Sequence, residues 1–250
     1  MRSIRTYGPN HSFSQAVRRS LEKDPNKILV DYVVEELLEG RFDCYLIGGR
    51  TRDGLRIEHF GTNGVKFSDY DIWVRDSEEL GELDLEGLFR DHKKEVAINR
   101  FGHPKWCVNG IEIDVGLISS CNLLNAGLDF PRNIKTAIKG SDLTTSSLAY
   151  GLQDGKLYDH LTIESLTKEV VDVNFVASDQ PHILMARLLL HAERFNFAIG
   201  EQGLALVKDF YDIELDPKIS DYLTYKGEEQ RTDKILSRLR DIAAEKTEEF

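Results

Sequence analysis

Apolar residues recur at intervals of three and four over residues 26–39, where Ile28, Leu29, Tyr32, Val33, Leu37 and Leu38 form one stripe before Gly40. This spacing predicts a helix, and a second one precedes it over residues 13–23. The period then shortens. Cys44-Tyr45-Leu46-Ile47 is a short apolar run ending at Gly48-Gly49, the pattern of a buried strand entering a tight turn, with a helix expected from about Thr51. In Tyr70–Val74, Ile72 and Val74 alternate with Asp71 and Trp73, and Asp69 precedes them. That alternation predicts a strand with one polar face. Further strands are expected at 95–101, 105–108 and 111–118. Asn109-Gly110, between the last two, matches a type I′ hairpin turn.

Beyond residue 120 the pattern changes. Residues 120–140 are polar and basic, and Pro131 rules out one continuous helix. A small-residue helix is expected over 142–151 and a short strand over 155–158. From Asp179 onward the periodicity is helical through Ile183, Leu184, Arg187, Leu188, His191 and Phe195, with further helices at 201–211 and 228–246. The chain carries no internal repeat and no low-complexity linker. The order of elements predicts an α/β (α+β) fold, a mixed sheet with flanking helices followed by a helical region, with domains at 1–170 and 171–250.

Composition narrows the function classes. The 250 residues are 41% hydrophobic and 30% charged, which suits a folded protein and excludes a disordered one. No apolar run approaches the length of a membrane span. The start, Met1-Arg2-Ser3-Ile4-Arg5, lacks the apolar run of a secretory signal. Three widely spaced cysteines, Cys44, Cys107 and Cys121, exclude a disulfide framework or Cys-based zinc site. A cytoplasmic protein without membrane contact is expected. The net charge of −11 argues against nucleic-acid binding over the whole surface. Residues 1–30 are locally basic, through Arg2, Arg5, Arg18, Arg19, Lys23 and Lys27, as is the neighbourhood of Arg132, Lys135 and Lys139. Residues 76–86 are acidic throughout.

The candidate chemistry lies in the first half. Asp69 and Asp71 are two apart on a strand and share a face, as do Glu112 and Asp114 on the hairpin's return strand. Taken alone, D-x-D is more commonly a solvated sheet face. Carboxylates from two strands on one face also supply the hard oxygen donors that Mg2+ takes in phosphoryl transfer. Gly48-Gly49 opening a helix lets backbone N–H groups approach an anion, and Arg50 and Arg52 add positive charge. The seven histidines lack zinc-ligand spacing. Ser119-Ser120 and Thr144-Thr145-Ser146-Ser147 lack a nucleophile arrangement and read as capping or loop residues. Cys107, Phe195 and Phe197 are expected in the core.

Gly48-Gly49-Arg50-Thr51-Arg52-Asp53 resembles the G-G-x-x-R-D signature of bacterial-type poly(A) polymerases and CCA-adding tRNA nucleotidyltransferases, of the DNA polymerase β superfamily. Asp69-Tyr70-Asp71-Ile72 resembles the family's D-x-D, and Ile113-Asp114-Val115-Gly116-Leu117 its third carboxylate strand. Asp142–Tyr150 resembles R-R-D-F-T-I-N-A-L-A-Y from its aspartate onward. Tyr158-Asp159 also fits, and Ser178–Leu184 resembles the start of the family's neck. The likeness covers about residues 43–198.

The resemblance implies a polymerase-β-like head and a helical neck-like region. It implies transfer of a nucleoside monophosphate from an NTP to an acceptor hydroxyl, an RNA 3′ end or another acceptor, with release of pyrophosphate. It assigns Asp69, Asp71 and Asp114 to Mg2+ (or Mn2+) and catalysis, with Glu112 as the other candidate for the third carboxylate. It assigns Gly48, Gly49, Arg52, Asp53, Asp142, Asp179 and His182 to the nucleotide, with RNA held through a local basic patch.

Departures fall in the second half. Gly140 and Ser141 stand where the family has two arginines, and Ser146 replaces an asparagine. Ser178 and His182 stand where Glu and Arg read the base edge. The alternative reading is therefore a nucleotide- or partner-binding module that has lost turnover.

Overall fold

The structure, a computed structural model, describes residues 3–38, 41–62, 69–75, 84, 86–87, 96–98, 103–176 and 180–245. The chain forms two compact units. One comprises Met1–Gly140 with Ser146–Thr162, and the other Ser141–Thr145 with Ile163–Phe250.

The first unit is built on an eight-stranded mixed sheet. Its strands are β1 (Arg5–Tyr7), β2 (Cys44–Ile47), β3 (Asp69–Val74), β4 (Val96–Ile98), β5 (Pro104–Val108), β6 (Ile111–Leu117), β7 (Leu148–Gly151) and β8 (Leu157–Asp159). The spatial order is β1-β8-β7-β2-β3-β6-β5-β4. Every pairing is antiparallel except β3 with β6. Alternation explains the layering. Tyr70, Ile72 and Val74 of β3 and Ile113 and Val115 of β6 are buried on one face, while Asp69, Asp71, Glu112 and Asp114 take the other. Helices α1 (Ser12–Glu22) and α3 (Gly48–Glu58) pack together on the face carrying Tyr70. They approach closely because Gly54 has no Cβ, which would lie 3.2 Å from Ser20.

Several local expectations are corrected. The stripe over 26–39 folds as α2 (Lys27–Asp31) running into a π-helix, Tyr32–Leu37, whose wider turn is closed by the Leu38 N–H bonding Val33 O. The apolar face shifts accordingly: Val30, Val33, Val34 and Leu38 are buried, and Ile28 is 71% exposed. Helix α3 begins at Gly48, three residues before the expected start, and Gly48 itself makes the turn out of β2 with φ +63, a value glycine adopts without strain. Residues 142–151 are a 3-10 turn (Thr144–Ser146) and then β7, not a helix. Of the strand expected at 95–101, Val96–Ile98 is formed and the remainder lies outside the described residues. Edge strand β1 was not expected. The hairpin has positive φ at both Asn109 and Gly110, as a type I′ turn requires. Cys107 is exposed, contrary to expectation, because its register on β5 turns it to the polar face; Cys44 and Cys121 are buried.

The second unit is helical, with α-helices Pro181–Phe195, Glu201–Phe210, Asp216–Tyr225 and Thr232–Ala244. They enclose an apolar core that includes Met185, Leu188, Leu189, Val207, Ile219, Leu223, Ile235 and Leu239. The helix beginning at Asp216 was not expected; Pro217 occupies its first turn, where a missing N–H costs nothing. Phe195 and Phe197 are half-buried, 5.6 Å apart. Among the described residues, no helix is long and apolar enough to cross a membrane.

Candidate active site

The parallel register of β3 against β6 sets Asp71 beside Asp114 and Asp69 beside Glu112. Parallel partners share a face, so four carboxyl groups stand together on the side of the sheet opposite Tyr70. Glu112 is engaged by Lys105 on β5, 2.5 Å away. Among the described residues no three carboxylate, imidazole or thiol groups converge into a finished metal cage. What the register does supply is hard oxygen donors from adjacent strands, at Asp69, Asp71, Glu112 and Asp114, the donor chemistry that a divalent cation such as Mg2+ or Mn2+ takes.

The turn after β2 abuts these carboxylates. Ile47 pairs with Asp71, and a Cβ added at Gly48 would stand 3.4 Å from Asp71 Oδ2. The turn is anchored by the Thr51 hydroxyl, which donates to Leu46 O at 2.9 Å. Gly48 and Gly49 leave the backbone open over the start of the 11-residue α3. A Cβ at Gly49 would lie 3.5 Å from Arg52 Nη2. Arg52 donates both Nε and Nη2 to the two oxygens of Asp53, each at 2.8 Å, a planar fork that fixes the guanidinium. Burial pushes the Asp53 carboxyl up, but Arg52 and then Arg56 outweigh it and hold it below the usual carboxylate range. Asp53 therefore stays ionised.

Arg50 is a correction. Its sequence position suggested charge for an anion, yet its side chain is wholly buried and turned onto the other face. There it meets Asp24 and Ser20. Four of the bases of residues 1–30 are likewise engaged: Arg18 with Glu22, Arg19 and Lys23 with Glu58, and Lys27 with Asp31.

Sequence reasoning missed residues on the carboxylate face. Trp73 follows Asp71 on that face and pairs with Gly116. His103 stands over Gly116, where an added Cβ would come within 2.8 Å of its Nδ1. The Ser120 hydroxyl donates to Leu117 O at 2.7 Å, so it accepts from His103 Nε2 at 2.6 Å. Burial lowers the His103 pKa, and Asp114 nearby offsets this only in part. A cavity of about 630 Å³, lined by Val96, Ala97, Lys105, Cys107 and Glu112, continues this face across β5. The usable signal was that 103, 105 and 107 alternate as Asp114 does, one strand away.

In the second unit, Asp142 pairs with Arg187 of helix Pro181–Phe195 at 3.0 Å and accepts the Leu143 N–H at 2.9 Å. Thr145 bonds His191 Nδ1 at 2.8 Å on the same helix. His182, in the first turn, has its pKa lowered by burial and by Lys218. Asp179 and Ser178 lie outside the described residues.

No protein-family model matches the chain, and no curated protein matches it. Solved structures do. A CCA-adding enzyme with CTP is similar at 20% identity and a TM-score of 0.67, over 98% of this chain and 56% of that one. An apo form I of a CCA-adding enzyme is similar at 20% identity and 0.65, over 94% and 54%. The Thermotoga maritima CCA-adding enzyme complexed with tRNA_CCA is similar at 20% identity and 0.60, over 97% and 55%. The chain therefore has the fold of the CCA-adding enzymes and spans a little over half the length of these relatives.

Proposed function

We propose that the chain is a metal-dependent nucleotidyltransferase, and that residues 1–170 act as its head and 171–250 as its neck. An acceptor hydroxyl attacks the α-phosphorus of an NTP. The new P–O bond forms as the bond to the bridging oxygen breaks, pyrophosphate departs, and the hydroxyl proton passes to solvent. The observation that carries this reading is the β3–β6 register, which sets Asp71 beside Asp114 against the Gly48 turn. Asp69, Asp71 and Asp114 would hold the divalent ion. Bound there, Mg2+ or Mn2+ supplies charge neutralisation and acidifies the acceptor hydroxyl. Gly48 and Gly49 offer backbone N–H groups to the triphosphate. Arg52, clamped by Asp53, neutralises phosphate charge without having to reorganise.

CCA-adding enzymes of similar structure are known with CTP, with ATP and complexed with tRNA_CCA, which supports an NTP as donor and an RNA 3′ end as acceptor. Asp142, His182 and Asp179 are the nucleotide-side residues of this reading. With His182 and Ser178 in place of Arg and Glu, base choice is weak. Free thiols at Cys44, Cys107 and Cys121 support a reducing compartment, the cytoplasm.

The test is incubation with each labelled NTP, Mg2+ or Mn2+, and total RNA. Label entering RNA with the wild type, and not with Asp69→Ala, is the expected result. Binding of NTP without transfer would favour the turnover-deficient module instead. Absence of both overturns the reading.

A further inference from the structure

Behind the carboxylate face lies a charged cluster that joins Arg50 and Tyr70, each inside a motif, to Asp24, which lies outside both. Asp24, in the loop after α1, is nearly inaccessible, and its Oδ2 receives three hydrogen bonds. Arg50 Nη2 donates at 2.9 Å, Arg50 Nε at 3.1 Å and the Tyr70 hydroxyl at 2.6 Å. Asp24 Oδ1 accepts the Asn26 N–H at 2.9 Å. Arg50 also donates to the Ser20 hydroxyl and Ser20 O, each at 3.0 Å. Both charges are buried and fully bonded, the condition under which such a pair specifies one arrangement rather than merely adding stability.

The placement of the partners gives the cluster its meaning. Arg50 is two residues beyond Gly48, in the first turn of α3. Tyr70 lies between Asp69 and Asp71, and its side chain leaves the sheet by the opposite face. One carboxylate oxygen thus ties the glycine turn to the middle of the carboxylate strand from below. A shift of Tyr70 moves both flanking aspartates, and a shift of Arg50 moves the turn that abuts Asp71.

We propose that Asp24 is a positioning residue: by binding Arg50 and Tyr70 with the same oxygen, it sets the spacing between the Gly48–Gly49 turn and the Asp69–Asp71 strand, and hence the grip on a metal-bound triphosphate. The inference rests on the nucleotidyltransferase reading for what is gripped, and on the geometry alone for what is held.

Tyr70→Phe removes one hydrogen bond at constant volume and is the mild variant; Asp24→Asn is the severe one. Val17→Ala, which trims a buried apolar residue of α1 that none of these hydrogen bonds involves, is the control for stability loss without cutting the tie. Equilibrium dialysis of labelled ATP with MnCl2 reads the grip without requiring turnover. Tyr70→Phe should weaken binding about tenfold, the equivalent of one hydrogen bond. Asp24→Asn should weaken it further, and Val17→Ala should leave it within about twofold even where its melting temperature falls as far. Wild-type affinity in folded Tyr70→Phe, or an equal loss in Val17→Ala, overturns the proposal.

Hydrogen exchange without ligand gives an independent readout. Faster exchange at both the 49–51 and 70–72 amides in Tyr70→Phe, but not in Val17→Ala, supports the tie even if no protein binds ATP, in which case the enzymatic reading alone has failed. Unchanged exchange at both segments overturns the tie itself.

Discussion

In the first unit the carboxylates are set by sheet register, with Asp71 beside Asp114 and a buried tie beneath them. In the second, the residues that continue the family-like pattern hang from one helix, Asp142 by an ion pair to Arg187 and Thr145 by a bond to His191. The first arrangement is collective. A one-residue slip of either strand would send both of its carboxylates to the buried face, so each strand's pair is kept or lost together. The second is modular. His182 and Ser141 stand where the resemblance expects arginine, and the helix carrying His182 keeps its core regardless. Substitutions are therefore expected to cost differently in the two, because one is held by backbone pairing and the other by single side chains.

The largest break in this comparison comes from activity. Asp69→Ala or Asp71→Ala should abolish transfer in Mg2+ while folding stability stays within about 0.5 kcal/mol, because half-exposed carboxylates seldom carry stability. Asp142→Asn should leave measurable turnover. Equal loss from both units, measured as kcat/KM, would erase the distinction. Asp114→Asn dead beside an active Glu112→Gln would sharpen it, and the reverse would move the third carboxylate to Glu112.

Stability separates the units next. Arg50→Ala strands a buried Asp24 and should cost about 3–5 kcal/mol in urea unfolding. Arg187→Ala opens a partly exposed pair, whose value after solvent screening is about 1 kcal/mol or less. Similar urea midpoints for the two variants would mean that the Arg50 site relaxes or hydrates on substitution.

Acid should read the same tie. Burial pushes the Asp24 carboxyl up, but the Tyr70 hydroxyl, the Asn26 amide and Arg50 together hold it below its ordinary value. A carboxyl depressed in the folded state contributes stability that is present above the unfolded pKa of about 3.9 and lost as pH falls through the folded value. Tyr70→Phe removes one of those bonds, so its urea stability should fall less steeply than that of the wild type below pH about 4. Parallel slopes would show that Asp24 does not titrate with unfolding.

The smallest effect concerns base choice. Without an arginine fork at His182, the preference among four NTPs at equal concentration should stay within about tenfold, since no buried donor is left unpaired by the wrong base. Ordered use of CTP and then ATP on a tRNA end would assign base reading to residues outside the resemblance.

Alternation made the carboxylate face legible, because side chains on a strand change sides every residue and Asp69, Asp71, Glu112 and Asp114 all obey that period. The hairpin was legible for the same local reason, Asn-Gly being suited to two positive φ values. The π-helix over Tyr32–Leu37 was not, since its i→i+5 bonding leaves no distinct sequence period. Nor was β7, whose residues read as a helix until pairing with β2 and β8 decided them. Sequence alone determined which residues could share a face, since that depends on backbone geometry within one strand. Only tertiary structure could decide that β3 runs parallel to β6 with Asp71 beside Asp114, and that Arg50 turns away from the glycine turn to meet Asp24, 26 residues earlier. Strand pairing and buried charge pairing join distant segments, and their partners are chosen by the whole fold's packing rather than by neighbours along the chain.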